Sequence, residues 1–375
     1  MHFEVFAVED DAVQVCWRGG AAGEITICAA NASDGLRLSR TVVADTGEAG
    51  AMVIGGLQPD TPYLVRLAPS RARVRRVRTL PRPPGTRLSR FAAFNDMHIG
   101  ARSFGTWRPL WDDDPTDPHP VRCFRAAVAE AVAWGAEAIV VKGDATQRGR
   151  THEWRTVAEI VAAAGLPTMW IEGNHETKHD SVDGRSILAR YGLRLTTGSS
   201  TYLDLPGARL IATPTARWHV GNGRVDPGVR EQAVAHARAA PGAAVVILHH
   251  YPQRFRVPTL YPSGIPAATA VPLLDGLAQA NPATLVLAGH SHRHRRHGHG
   301  PLVVAETGST KDFPGTWSGY TVYDGGIMQT TRRVMEPSAF AWTDRGRRVA
   351  GGVWGIWAPG RRSHRCFSHP WPGRP

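Results

Sequence analysis

Between residues 91 and 292 the chain repeats one pattern, an apolar run that ends on an acid, an amide or a histidine. The runs close on NDMH (Asp96, His98), KGDATQ (Asp144), EGNHE (Asn174, His175), LHHYP (His249, His250) and AGHSH (His290, His292). Among them lie the helical patterns VRCFRAAVAEAVAWG, EWRTVAEIVAAAG, REQAVAHARAA and VPLLDGLAQA. Strands alternating with amphipathic helices predict an α/β domain whose buried sheet delivers functional groups at strand ends. Any one of these polar endings has a plain explanation as a helix cap or a satisfied histidine. Five in succession do not.

The residue types suit one task. Asp96 and Asp144 offer carboxylates and Asn174 a carboxamide. His98, His290, His292 and one of His249 or His250 offer imidazoles, with no thiolate among them. Mixed oxygen and nitrogen donors favour manganese, iron, zinc or cobalt over magnesium, calcium or a structural zinc. Such a set is too large for one tetrahedral ion but fills two open sites that share a carboxylate. Paired ions about 3.5–4 Å apart serve in-line attack at phosphorus. His290 and His292 are two residues apart, so in an extended segment both side chains leave on the same side. His294 continues that alternation as a supporting residue, and Arg293, Arg295, Arg296, His297 and His299 are expected in a solvated hairpin.

The order and spelling of the blocks, D-x-H, G-D, G-N-H-E, a histidine before x-P and G-H-x-H, resemble the calcineurin-like metallophosphoesterases. The likeness covers roughly residues 88–325. It implies a four-layer αββα sandwich with a dinuclear site at one edge. Carried over block by block, Asp96, His98 and His292 hold one ion, Asp144 bridges, and Asn174, His290 and His250 hold the other. His250 is chosen because the family sets this ligand two residues before the proline, here Pro252, with His249 as runner-up. His175 stands outside the metal ligands as a hydrogen-bond donor or general acid. A hydroxide bridging the ions attacks a phosphoester in this scheme.

The first eighty residues are different in kind. Short alternating runs (FEVFAV, AVQVCW, EITICA, RTVVAD, GAMVIGG, PYLVRL, RVRRVRT) have the rhythm of a small β-sandwich. GLQPDTPYLVRL resembles the corner of fibronectin type III domains, with Tyr63 bonding back across it. TLPRPPGTRLSR reads as a linker, so three segments are expected: a fibronectin-like domain (1–86), a catalytic domain (87–335) and a tryptophan-rich extension (336–375) packed on one of them. Arg71, Arg73 and Arg75 alternate as on a solvated edge strand.

Purple acid phosphatases also pair a fibronectin-like domain with this catalytic fold. In them a tyrosine ligand follows G-D and a glycine replaces the histidine of D-x-H. Here Gln147 and His98 stand at those positions, so iron–tyrosinate chemistry is not expected. The blocks, and the ending GSTKDFPGTWSGYTVYDGG, are similar to bacterial cyclic-nucleotide and glycerophosphodiester phosphodiesterases. That likeness points to a small phosphodiester substrate. A phosphomonoesterase, a nuclease of the same fold and a non-catalytic scaffold are the alternatives, and a degenerate scaffold would lack ligands that this chain keeps.

Insertions at 100–120 (Trp107, Trp111), 217–228 (Arg217, His219) and 252–264 (Arg254, Arg256) are placed to shape a pocket. The formal charge of +12 invites nucleic acid, but the basic residues are arginines apart from Lys142, Lys178 and Lys311, and no nucleic-acid module is recognisable. No apolar run is long enough to span a bilayer. The N-terminal stretch goes straight into strand alternation without a leader pattern, which sets the expectation at the cytoplasm. Cys16, Cys28, Cys123 and Cys366 form no CxxC pair, so neither a zinc finger nor a disulfide framework is expected.

Overall fold

A computed structural model describes residues 2–19, 23–31, 37–68 except 45–47, 74–105, 108–112, 114–178, 181–254 and 263–372. Trp107, Arg71, Arg73 and Arg256 lie outside the described residues.

The N-terminal runs fold as strands β1 (His2–Val8), β2 (Ala12–Arg18), β3 (Gly23–Asn31), β4 (Arg37–Ala44), β5 (Gly50–Gly55), β6 (Pro62–Ala68) and β7 (Arg75–Arg78). They form a three-stranded sheet, β1-β2-β5, and a four-stranded sheet, β4-β3-β6-β7. Period-two alternation puts Val13, Val15 and Trp17 of one sheet against Ile27, Val65 and Leu67 of the other. Tyr63 closes the corner as expected, its hydroxyl accepting from the Gln58 N–H at 2.9 Å. Cys16 and Cys28 lie in different sheets, and all four cysteines are free thiols.

The second unit opens with β8 (Arg87–Phe94), a short hairpin β9 (Ser103–Phe104) and β10 (Leu110–Trp111), and helix α1 (His119–Trp134). There follow β11 (Ala138–Lys142), α2 (Thr151–Ala162), β12 (Thr168–Ile171), α3 (Gly184–Ala189), β13 (Leu195–Thr196), β14 (Thr201–Leu205) and β15 (Ala208–Ala212). Then come α4 (Pro227–Arg238), β16 (Ala243–Ile247), α5 (Ala267–Ala280), β17 (Thr284–Ala288), β18 (Arg295–His299), β19 (Leu302–Glu306), β20 (Thr316–Tyr323) and β21 (Gly326–Arg333). The last elements are α6 (Pro337–Gly346), a 3-10 turn (Val349–Gly352), α7 (Val353–Trp357), α8 (Arg362–Arg365) and β22 (Phe367–Pro370).

These strands make two sheets, β13-β12-β11-β8-β20-β21-β22 and β14-β15-β16-β17-β19-β18. The sheets pack face to face through Phe91, Val140, Ile171 and Tyr320 of one and Leu210, Val245, Leu285 and Val303 of the other. Helices α1 and α2 cover the outer face of the first sheet, and α4 and α5 that of the second. The result is a four-layer αββα sandwich preceded by an all-β domain. Strands β8, β11 and β12 are parallel neighbours, as are β15, β16, β17 and β19, so their carboxyl ends reach one edge of the molecule.

Within the described part of the tail, β22 extends the first sheet by pairing with β21. The tail also carries the seam between the units, where Phe6 and Cys16 pack with Phe340 and Cys366. Buried Gln14 exchanges hydrogen bonds with the backbone of Arg333, at 2.8 and 2.9 Å. Among the described residues no helix is long and apolar enough to cross a membrane.

Candidate dinuclear metal centre

Two glycines let the strand ends approach one another. A Cβ on Gly143, whose φ is +84°, would meet Gly173 N at 2.7 Å, and a Cβ on Gly173 would run into Asp144 N. The loops after β8 and β11 then run side by side, with His98 N donating to Asp144 O at 2.9 Å and Ile99 N to Ala145 O at 2.9 Å. Glu176 fastens the next loop, its buried carboxylate accepting from the backbone N–H of Asp144, Thr146 and Gly173 at 2.7–2.9 Å.

The expected extended path through AGHSH is not what forms. Residues 289–293 turn, with His290 at φ +67° and His292 at φ +52°. Asp96, His98 and Asp144 are left-handed as well, at +54°, +47° and +49°. Such a conformation costs about 1–3 kcal/mol per non-glycine residue and persists where surrounding structure enforces it.

Three sets of side chains could each hold an ion with ligand atoms within 4.8 Å of one another: Asp96, His98 and His292; Asp96, Asp144 and His249; and His249, His250 and His290. A further set joins His98, Asp144 and His175. Asp144 sits in the middle, its Oδ2 3.9 Å from His98 Nε2 and 3.4 Å from His249 Nε2. His249 Nε2 is 3.3 Å from Asn174 Oδ1, and His98 Nε2 is 3.1 Å from His292 Nε2.

The donor set fits cations. His249 Nδ1 faces Lys142 O at 2.7 Å and His292 Nδ1 faces Asp312 Oδ2 at 2.7 Å. Both contacts place the ring proton on Nδ1, which turns the Nε2 lone pairs toward Asp144, Asn174 and Asp96. Lone pairs facing carboxylate and carboxamide oxygens repel unless a cation or a proton lies between. His98 Nδ1, His250 Nε2 and His290 Nε2 are buried with no hydrogen-bond partner. A metal ion would suit the orphaned His250 and His290 nitrogens, whereas His98 turns Nε2, not its orphaned Nδ1, to Asp144 and His292.

Electrostatics follow the same logic. Burial and the neighbouring His249 push His290 down to about 3. Burial also opposes charge on His249, but the Asp144 carboxylate outweighs it and raises that imidazole to about 9. Without an ion, a proton takes the place of one there.

Of the two histidines of LHHYP, both stand beside His290, with ring centroids 5.1 Å (His249) and 4.5 Å (His250) away. Only His249 also reaches Asp144 and Asn174. His250 turns its Nδ1 to the Thr215 hydroxyl at 2.9 Å. The proline spacing read from sequence therefore names a different neighbour from the one that faces the carboxylate.

His294 is buried behind the turn, where its Nδ1 accepts from Gly308 N at 3.2 Å. The hairpin expected to be solvated is half-buried, with Arg296 over the Phe367 ring at 4.2 Å and Arg293 over Trp357 at 4.8 Å. Trp111 is exposed, His219 N donates to Thr177 O at 2.9 Å, and Arg254 lines a cavity with Asn222 and Gln253. Sequence reasoning missed Lys142, Glu176, Thr215, Lys311 and Asp312. All but Thr215 lie inside quoted stretches, Lys142 in KGDATQ, Glu176 in EGNHE, and Lys311 and Asp312 in GSTKDFPG, but their types alone gave them no role.

The calcineurin-like phosphoesterase family profile matches residues 89–294, and the chain belongs to that family. It is thus a metal-dependent phosphoester hydrolase by class, of a family that typically binds two divalent ions. No curated protein matches the chain. Among solved structures it is similar to purple acid phosphatase PPD1 from yellow lupin (Lupinus luteus) seeds. That likeness has 12% identity, 89% of this chain, 72% of the other and a TM-score of 0.45. TT1561 of Thermus thermophilus is similar at 12% identity, 66% of this chain, 99% of the other and a TM-score of 0.42. The FN5 domain of Drosophila Lar is similar to a smaller part, at 24% identity, 21% of this chain, 94% of the other and a TM-score of 0.17.

Proposed function

We propose that the protein hydrolyses a small phosphodiester at a two-metal site. The observation that carries this reading is the convergence of Nε2 lone pairs and acid oxygens on Asp144 from both sides. Asp96, His98 and His292 would hold one ion, Asp144 both, and Asn174, His290 and His249 the other. His249 takes the place given to His250 because it reaches both Asp144 and Asn174. Bound ions would lower the pKa of a water toward neutrality and neutralise phosphoryl oxygens.

The chain's own groups do the rest. His175 N donates to Asp144 Oδ1 at 2.8 Å, which holds that carboxylate toward its partners. The His175 ring meets His98 edge-on with centroids 4.3 Å apart. Lys178 Nζ lies 2.8 Å from His175 Nδ1 and 3.3 Å from Gln147 O. His175 Nδ1 also lies 2.9 Å from Gln147 O, which only accepts, so the neutral ring keeps its proton on Nδ1, and the proton it would offer to the leaving oxygen is a second one, taken up on Nε2.

Diester over monoester rests on His98 and Gln147, which stand where the tyrosine-bearing phosphatases have glycine and tyrosine. We take residues 87–335 as the catalytic unit, 1–86 as the fibronectin-like unit and 336–375 as an extension of the former. The test is hydrolysis of matched nitrophenyl phosphate mono- and diesters by manganese-loaded protein, with Asp144→Asn beside it. Diester turnover lost in the variant is expected. A monoester preference would move the assignment to a phosphatase, and full activity of the variant would remove Asp144 from the site.

A further inference from the structure

Asp96, His98, Asp144 and His249 of the proposed metal ligands are buried, whereas Asn174, His290 and His292 are partly exposed. Side-chain exposure is 5% for His98, 2% for Asp144 and 0% for Asp96 and His249, yet 18% for His292. An organic group leaving the metal site on this side must pass His292. The first large side chain there is Trp354, whose ring centroid lies 6.4 Å from that of His292 at 73°.

Trp354 is held as a fixed surface. Its Nε1 donates to Phe313 O at 3.0 Å, so the indole's one polar atom is already satisfied. Phe104 meets it edge-to-face at 5.3 Å and Trp357 lies at 5.0 Å. Helix α7, only five residues long, cannot hold its own position. It is tied by His294 N donating to Ala358 O at 2.9 Å. Arg365 completes the anchorage, with Nη1 donating to Pro359 O and Gly360 O while Nη2 donates to Phe6 O of β1 at 3.0 Å. One buried guanidinium thus joins the fibronectin-like domain to the turn that carries α7.

We infer that Trp354 is a specificity residue that stacks a planar aromatic ring carried by the substrate's organic group, as in an aryl or nucleoside phosphate. The inference rests on the phosphoesterase reading and deepens it. An indole fixed by a hydrogen bond and an edge contact beside the partly exposed His292 would offer its π-surface to a group that leaves the metal site there. A planar ring gains its whole face on such a surface, and an alkyl group only part of it. The N-terminal domain then serves the site indirectly, by fixing the strand to which Arg365 ties α7.

The test is calorimetric titration of manganese-loaded protein with phenylphosphonate, hexylphosphonate and methylphosphonate, none of which is turned over. Stacking on one aromatic side chain predicts phenylphosphonate bound about tenfold more tightly than methylphosphonate. Trp354→Ala should abolish that preference and Trp354→Phe should keep most of it, with manganese content unchanged in both. A preference that survives Trp354→Ala overturns the inference, as does hexylphosphonate binding as well as phenylphosphonate. If native protein with two ions bound takes up none of the three, the phosphoesterase reading itself falls, an outcome distinct from a missing ring preference.

Discussion

His292 and Asp312 are joined through Nδ1 and Oδ2 at 2.7 Å, and the other oxygen of the same fully buried carboxylate is held by Lys311 Nζ at 2.6 Å. The carboxylate fixes the ring proton on Nδ1 and leaves Nε2 for an ion. Removing an orienting partner of this kind costs metal affinity about 10–100-fold. Asp312→Ala should show that loss in a manganese titration, and Asp312→Asn, which keeps an acceptor without its charge, a smaller one.

The adjacent histidines should separate in the same assay. His249→Ala removes the nitrogen that faces Asp144 and Asn174, so manganese stoichiometry is expected to fall from two ions toward one. His250→Ala removes a partner of Thr215 and should retain more of the second ion. The reverse order would return the ligand role to His250.

Manganese binding should be strongly pH-dependent. Metal-free His249 holds a proton up to about pH 9, although burial opposes it, because the Asp144 carboxylate outweighs that cost. An incoming ion must displace this proton, so below that pH each unit of acidification weakens binding by about tenfold and each unit of rise restores it. Affinities measured at pH 6, 7 and 8 check the sign, and a flat profile would contradict it.

Ion binding should also stabilise the fold, because the bound state relieves the repulsion among the converging lone pairs. Free manganese at one hundred times its Kd adds about 2.7 kcal/mol by mass action. Calorimetric Tm should rise with manganese in the native protein and fall back on chelation. Asp144→Asn should show little of this response.

The seam between the two units offers a stability test remote from the site. Gln14→Met leaves the N–H and C=O of Arg333 buried without their partner, at about 1–3 kcal/mol for each group. Urea unfolding should register the loss, while manganese stoichiometry stays at its native value.

Much of the catalytic unit was legible in the chain itself. Apolar runs of strand length, helices that end at Gly135 and Gly165, and polar residues at each strand end are local signals, set by periodicity and by the few residue types a cap or a ligand can use. They gave the alternating architecture, the small sandwich and the cluster of Asp96, His98, Asp144, Asn174, His290 and His292, while the Tyr63 corner came from the resemblance to fibronectin type III domains. Local signals also misled. The G-H-x-H segment reads as extended, whereas packing of the strand ends turns it through left-handed His290 and His292. Helix α5 begins at Ala267, ahead of the VPLLDGLAQA pattern that starts at Val271, and Ala270 in its added turn is buried in the core against the second sheet.

What only the tertiary structure decided is which groups face one another. Spacing to Pro252 cannot tell which of two adjacent histidines faces Asp144, because that depends on the height at which β16 meets β11 across the sheets. Asp312 comes to His292 from twenty residues away, and Glu176 fastens loops that follow two different strands. Trp354 reaches the partly exposed His292 because the tail adds β22 to the first sheet and is anchored on β1 by Arg365. Sequence patterns record the local preference of each residue for a strand, a helix or a turn. Contacts between distant segments are fixed by how the two sheets and their covering layers pack, and no single segment carries that information.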